Sequence, residues 1–415
     1  MNNETTKTTL LANARIILPD RIADNASLLI EDGRIARVFI CAADESAKVG
    51  SRIDLRGLTL FPGFIDLHIH GAVGVDMMDA GADDLCRVAT FLARNGVTAW
   101  LPTLVPAPHE QYQQAIRAIE GAWAQTSVDE RDAEGHRLKS VPHARVLGVH
   151  YEGPFVNNEQ CGALHREHFR TFRDSGDLET LPAAKTEGAV HLMTLAPEIE
   201  GGINLIGELQ KRGWIVSIGH TRATVDVLDR ALQAGAHHLT HFMNAMTPLH
   251  HRAPGAVGWG LIHDDVTCDL IADGVHLDPL VLKLILRGKT SKRISLISDA
   301  IAATGLGDGE YQIWGETIRV ENCRTQNARG SIAGSVITML DAVRMMLSLG
   351  VPEIEVARMA STNPARVLRI EKDCGSIEVG KRADLVALDQ AGNVRLTVLA
   401  GRPFSSDDFP VMNGN

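Results

Sequence analysis

Residues 64–70 read Phe64-Ile65-Asp66-Leu67-His68-Ile69-His70. Side chains alternate faces along a strand, so Asp66, His68 and His70 share one side and Ile65, Leu67 and Ile69 the other. A strand with an apolar face and a face of carboxylate and imidazole suits a barrel, where one side packs under helices and the other looks into the lumen. Outward from this stretch, short apolar segments recur at 97–101, 145–150, 190–195, 215–219, 238–241, 266–271 and 294–298. With 63–70 that makes eight. Helical patterns lie between several of them. One covers 223–234 and stops at Gly235, which suits a C′ glycine. Another has Asp278 as N-cap and Pro279 at N1, and runs to Arg287 before Gly288. Eight strands with helical connections predict an α/β protein with a (β/α)8 TIM-like barrel.

The two ends of the chain have a different style. Extended patterns fall at 10–18, 26–30, 34–39 after the Asp32-Gly33 turn, and 53–60, and again at 376–379, 383–388 and 394–400. They predict a small β-sandwich domain formed by both chain termini, residues 1–60 plus 370–415, around a barrel at 61–369. The charged, aperiodic stretch 126–140 reads as a surface excursion.

The chain has 415 residues, 45% hydrophobic and 22% charged, in the range of a soluble globular protein. A net charge of −10 argues against a nucleic-acid partner. The six cysteines, Cys41, Cys86, Cys161, Cys268, Cys323 and Cys374, form no CxxC pair and read as reduced thiols of a cytoplasmic protein. The N-terminus is polar and no apolar run is long enough to span a bilayer, so no membrane partner is expected.

Residues able to bind metal cluster at the C-terminal ends of the predicted strands, where barrel enzymes place their active sites. His68 and His70 make half a metal site. Glu152 follows the third strand, His220 the fifth and His241 the sixth. Taken alone, His220 or His241 is more safely read as a core histidine. Together with Glu152, His220 and His241 supply three ligands and leave a position open for water. Asp299, after the eighth strand, is placed to take a proton from such a water and hand it on. Asn244, Ala245 and Arg252 offer backbone N–H groups and a guanidinium fork, the means of holding a phosphate, although a carboxylate could equally claim Arg252. His276 could polarise a carbonyl.

These motifs carry a resemblance. Pro62-Gly63-Phe64-Ile65-Asp66-Leu67-His68-Ile69-His70-Gly71, His150-Tyr151-Glu152-Gly153-Pro154-Phe155, Gly219-His220-Thr221, Thr240-His241-Phe242-Met243-Asn244-Ala245-Met246, Asp273-Gly274-Val275-His276, Ser298-Asp299-Ala300 and the closing Gly380-Lys381-Arg382-Ala383-Asp384-Leu385-Val386 resemble the amidohydrolase superfamily. Within it they are similar to the N-acetylglucosamine-6-phosphate deacetylases. The resemblance implies a deacetylase that converts N-acetylglucosamine 6-phosphate to glucosamine 6-phosphate and acetate. It implies Glu152, His220 and His241 as ligands of the main divalent metal, zinc foremost and iron or another ion also possible. His68 and His70, with Asp299, would hold a second, Glu152 bridging. Asp299 would be general base and then acid, and His276 would contact the acetyl carbonyl. Ala163, Asn244, Ala245, Arg252, Ala333 and Gly334 would contact the substrate, with Arg252 near the interface of a homodimer.

One stretch departs from that pattern. Where the family often carries Lys-Gly-Ala-His, this chain reads Cys161-Gly162-Ala163-Leu164-His165. Leu164 takes the histidine's position unless the loop shifts by one residue, which leaves a galactosamine-type or other N-acyl amino-sugar phosphate open. Two further alternatives are a cyclic-amidase-like amidohydrolase and a non-catalytic scaffold. The first usually bridges its metals with a carboxylated lysine, and no lysine falls at a strand end here. The second tends to lose metal ligands, which this chain keeps.

Overall fold

The computed structural model describes residues 8–40, 49–127 and 141–409. Cys41, the N-terminal residues 1–7 and nearly all of the 126–140 stretch lie outside the described residues. Eight parallel strands form the central barrel: β1 (Phe64–Ile69), β2 (Val97–Leu104), β3 (Gly148–Glu152), β4 (Val190–Leu195), β5 (Ile215–Ile218), β6 (His238–Leu239), β7 (Thr267–Ile271) and β8 (Ile294–Ile297). Each pairs with its sequence neighbour, as expected. Some bounds differ. β2 continues to Leu104, and β3 reaches Glu152, so that carboxylate belongs to the strand end itself.

β1 is buried along its whole length. Ile65, Leu67 and Ile69 join the main core with Leu85, Val88, Ala89 and Leu92, the apolar face of the Ala82–Arg94 helix. Asp66, His68 and His70 are equally buried on the opposite, lumenal side. The barrel closes at its upper rim. There the Asp299 amide donates to the His68 carbonyl at 2.9 Å and the His70 amide to the Ala300 carbonyl at 2.8 Å. The Ser298 hydroxyl donates to Asp66 Oδ2 at 2.5 Å across the same seam.

The helices obey their expected signals with one change. Val225–Ala234 ends on Gly235 at φ +112°, a left-handed C-cap. Asp278 caps Pro279–Lys289 by accepting from the Leu280 amide, but that helix continues through Gly288.

Both termini build one eight-stranded sheet. Leu385–Leu388 pairs antiparallel with Thr59–Pro62, which joins the end of the chain to its beginning. This sheet has its own core, including Leu11, Ile16, Leu28, Leu60, Leu385 and Val398. The expected strand at 376–379 is instead a turn leading to Gly380, with Ser376, Glu378 and Lys381 bonded to one another.

A three-stranded antiparallel hairpin unit, Gly309–Ile313, Glu316–Glu321 and Arg324–Gln326, follows β8 and went unread in the sequence. Ile313, Ile318 and Val320 pack on Ile301, Ala303 and Ala333 in a small separate core. Among the described residues, no helix is long and apolar enough to cross a membrane.

Candidate metal centre and active site

The strand tips bring six polar side chains to one point. His220 Nε2 and His241 Nε2 each lie 2.9 Å from Glu152 Oε1. His70 Nε2 is 3.3 Å from Glu152 Oε2, and His68 Nε2 is 3.6 Å from Oε1. Asp299 Oδ1 completes the group at 3.3 Å from His70 and 3.5 Å from His68. All six side chains are buried.

Their geometry is that of a cation site. The Nε2 atoms of His68 and His70 are 3.0 Å apart, those of His220 and His241 3.2 Å. Two nitrogens bound tetrahedrally to zinc at about 2.0–2.1 Å stand roughly 3.3 Å from each other. Facing nitrogens that close gain little from one another and much from a shared cation. The donors divide into two triads, His68–His70–Glu152 and Glu152–His220–His241, each with its ligand atoms within 4.8 Å. Imidazole with carboxylate suits a divalent ion.

The electrostatics agree. Burial opposes charge on His70, but Asp299 and Glu152 overrule it and lift its pKa to about 10. His241 rises to about 9 against burial, chiefly through Glu152. Burial likewise opposes ionisation of Glu152, and the surrounding His68, His220 and His241 hold it well below the usual carboxylate range. Protons and a divalent ion therefore compete for the same nitrogens.

Outer contacts fix the ligands. His220 Nδ1 donates to the Gln160 carbonyl at 2.7 Å, which leaves the Nε2 lone pair for the centre. The Asp269 carboxylate accepts from the His241 backbone amide and lies 3.1 Å from His238 Nε2. His150 sits below His68, ring centroids 4.6 Å apart. Burial, then His68, drives its pKa well below the ordinary value, so it stays neutral between Thr194 and the Leu67 carbonyl.

Several of these residues hold unusual backbone. His220, His241 and Asp299 have φ of +46°, +31° and +51°, and Met243 and Ala245 +75° and +48°. Left-handed backbone at a non-glycine residue costs about 1–3 kcal/mol and persists only where surrounding structure enforces it. Here it turns the side chains just past β5, β6 and β8 inward over the barrel mouth.

A cavity of about 150 Å³ opens on this centre, walled by His70, Glu152, His220, His241 and Asp299 and by Ala163, Leu164, Asn244, Ala245, His276, Trp314 and Gly334. His276 Nδ1 lies 2.6 Å from Asp273 Oδ2, and Asp273 Oδ1 accepts both the Val275 and His276 amides. Asn244 Nδ2 is buried without a hydrogen-bond partner. Leu164 lines the cavity, whereas His165 turns to Glu167 and Glu316. The loop has not shifted by one residue. Ala333 lies behind the wall in the hairpin core.

Arg252 stands apart. It is exposed, its guanidinium 2.7 Å from His251 Nε2, and it does not line the cavity of its own chain. Two cavity features escaped the sequence reading. Asp273 was visible only as part of a motif, and its hold on His276 needed the loop's fold. For Trp314 the one available signal is the alternation on either side of Trp314-Gly315, which no apolar run accompanies.

Residues 59–404 match the Amidohydrolase family. An N-acetylglucosamine-6-phosphate deacetylase from Bacillus subtilis is 35% identical over 397 residues, 94% of this chain and 96% of that protein. An N-acetylgalactosamine-6-phosphate deacetylase from Escherichia coli is 36% identical over 399 residues, 95% and 99% of the two chains. Among solved structures, the N-acetylglucosamine-6-phosphate deacetylase of Pasteurella multocida superimposes with a TM-score of 0.85 at 28% identity, covering 96% of this chain and 100% of that one. The enzyme of the same name from Thermotoga maritima gives 0.82 at 31% identity, covering 95% and 99%. Sequence match, barrel and clustered strand-end ligands agree: the chain belongs to the amidohydrolase family.

Proposed function

We propose that this chain hydrolyses the acetamide of N-acetylglucosamine 6-phosphate to glucosamine 6-phosphate and acetate. The observation that carries this reading is the convergence of both histidine–glutamate triads, Asp299 and the Asp273-held His276 on one small cavity. Glu152, His220 and His241 would hold the main divalent ion, zinc foremost, and His68 and His70 with Glu152 would offer a second position. A bound divalent ion lowers the pKa of water and polarises a carbonyl. Asp299 takes the proton of the attacking water and passes it to the amine nitrogen as the C–N bond breaks. His276, clamped through Nδ1, turns Nε2 to the carbonyl oxygen, where a proton on that nitrogen stabilises the developing charge.

Asn244 and the Ala245 backbone bind the phosphate, and Ala163 and Gly334 flank the sugar with Ala333 behind. Arg252 lies outside its own cavity, and we assign it to the phosphate in the cavity of a second copy, within a homodimer. Residues 61–369 are the catalytic unit and 1–60 with 370–415 its accessory sheet.

Leu164 on the cavity wall, together with the similarity to the galactosamine-type relative, favours a second reading in which the 4-epimer is the better substrate. Acetate release from N-acetylglucosamine 6-phosphate, N-acetylgalactosamine 6-phosphate and unphosphorylated N-acetylglucosamine tests both. Turnover that needs the phosphate supports the class, and the epimer ratio selects between the readings. No release from any of the three rejects both.

A further inference from the structure

We propose that Trp314 sets the size of the acyl group this enzyme removes, an inference that rests on the amide-hydrolysis reading above. The reacting carbon has to sit beside Asp299 and the histidine–glutamate cluster. The acyl chain attached to it must then point at whatever walls that corner of the cavity. The apolar side chain packed on His70 there is Trp314, edge-on, with ring centroids 5.3 Å apart and planes at 88°.

The indole is held in place at a cost. Trp314 and Gly315 form the two-residue turn between Gly309–Ile313 and Glu316–Glu321, with φ of +53° and +72°. Such a turn favours asparagine or glycine at its first position, and a bulky aromatic there is strained. An outlier of this kind at a cavity points to a role for the side chain. The indole N–H is buried, and its polar neighbour is the buried carboxyl of Asp76. The turn is anchored further out. Arg329 lies 3.3 Å from Glu316 and donates to the Ala163 carbonyl at 3.0 Å, tying the hairpin to another lining residue of the cavity. The wall is therefore rigid from both sides. The acetyl methyl group then lies in the cavity against the indole, and each added methylene meets the ring.

The test is hydrolysis of the N-acetyl, N-propionyl and N-butyryl derivatives of glucosamine 6-phosphate by the metal-loaded protein. Wild type prefers acetyl. Trp314→Ala raises the propionyl-to-acetyl ratio of kcat/KM by about tenfold or more, the scale on which apolar pockets discriminate one methylene. Trp314→Phe leaves most of the preference in place. Bound metal per chain and melting temperature report whether each variant keeps its centre. If Trp314→Ala loses it, the ratio is read on Trp314→Leu. A uniform loss of rate with an unchanged ratio, while wild type still cleaves the acetyl substrate, overturns this inference alone. Failure of wild type to cleave any of the three, or their galactosamine epimers, overturns the reaction on which it rests.

Discussion

Asp299 combines chemistry with architecture. Its carboxylate reaches His68 and His70, its amide donates to the His68 carbonyl, and its own carbonyl accepts from the Ser335 amide at 2.7 Å. Burial opposes ionisation of this group, and the two histidines outweigh it, so the carboxyl sits below its ordinary range and is ionised, as the proposed base must be. Asn tolerates left-handed backbone, so Asp299→Asn is expected to fold, keep its metal and lose roughly 10²–10⁴-fold in kcat. Acetate release together with metal analysis checks it, and a variant with near-normal rate removes Asp299 from the mechanism. The thiols test burial at the same scale. Burial pushes Cys86 and Cys374 up to about 11 and Cys268 to about 12, whereas Cys323 is exposed. A raised thiol pKa means less thiolate at pH 8, and thiolate is the reactive form. In the native protein a thiol reagent should therefore modify Cys323 quickly, and Cys86, Cys268 and Cys374 only on unfolding. Peptide mapping after timed labelling decides this.

Among the elements, the contact between β1 and β8 is the most demanding. Asp66 is fully buried, and the Ser298 hydroxyl and amide both donate to it. Ser298→Ala removes a hydrogen bond to a buried carboxyl, and a loss of about 2 kcal/mol in denaturant unfolding is expected. A change under a few tenths would mean that Asp66 finds another donor. The barrel strands were legible because each joins a short apolar run to a polar tip, and the terminal strands because they alternate beside Gly turns. The hairpin carrying Trp314 was not. Its Gly309–Ile313 strand fully buries Ile313 alone, so no apolar run marks it. What anchors it to the site is Arg329 meeting Ala163, 166 residues earlier in the chain. Glu152, His220, His241 and Asp299 could be picked out only as a set, from their shared place at the strand ends. That Asp273 holds His276, and that Leu164 rather than His165 faces the cavity, depended on loop conformations that no periodicity encodes.

For the whole molecule, the position of Arg252 makes the strongest demand. If the partner subunit's Arg252 completes each cavity, Arg252→Ala and Asp299→Asn are defective for different reasons and in different chains. Mixed and refolded in equal amounts, they form heterodimers in which one cavity has both residues intact. Random pairing then restores about a quarter of wild-type sites. No recovery in the mixture, with dimers confirmed by light scattering, would return the phosphate contact to the chain's own residues.

The rim where the barrel closes also has a mechanical consequence. The hoop is fastened by hydrogen bonds between the His68–His70 and Asp299–Ala300 backbones, and the His68, His70 and Asp299 side chains meet at the candidate metal centre. A bound ion would thus work as a clasp, pulling both edges of the seam toward one point. Chelation should unfasten the hoop at this spot first, before any general loss of structure. Amide hydrogen exchange at His70 and Asp299 would then quicken while that of Leu270 in β7 stays slow, and added divalent ion would restore the protection.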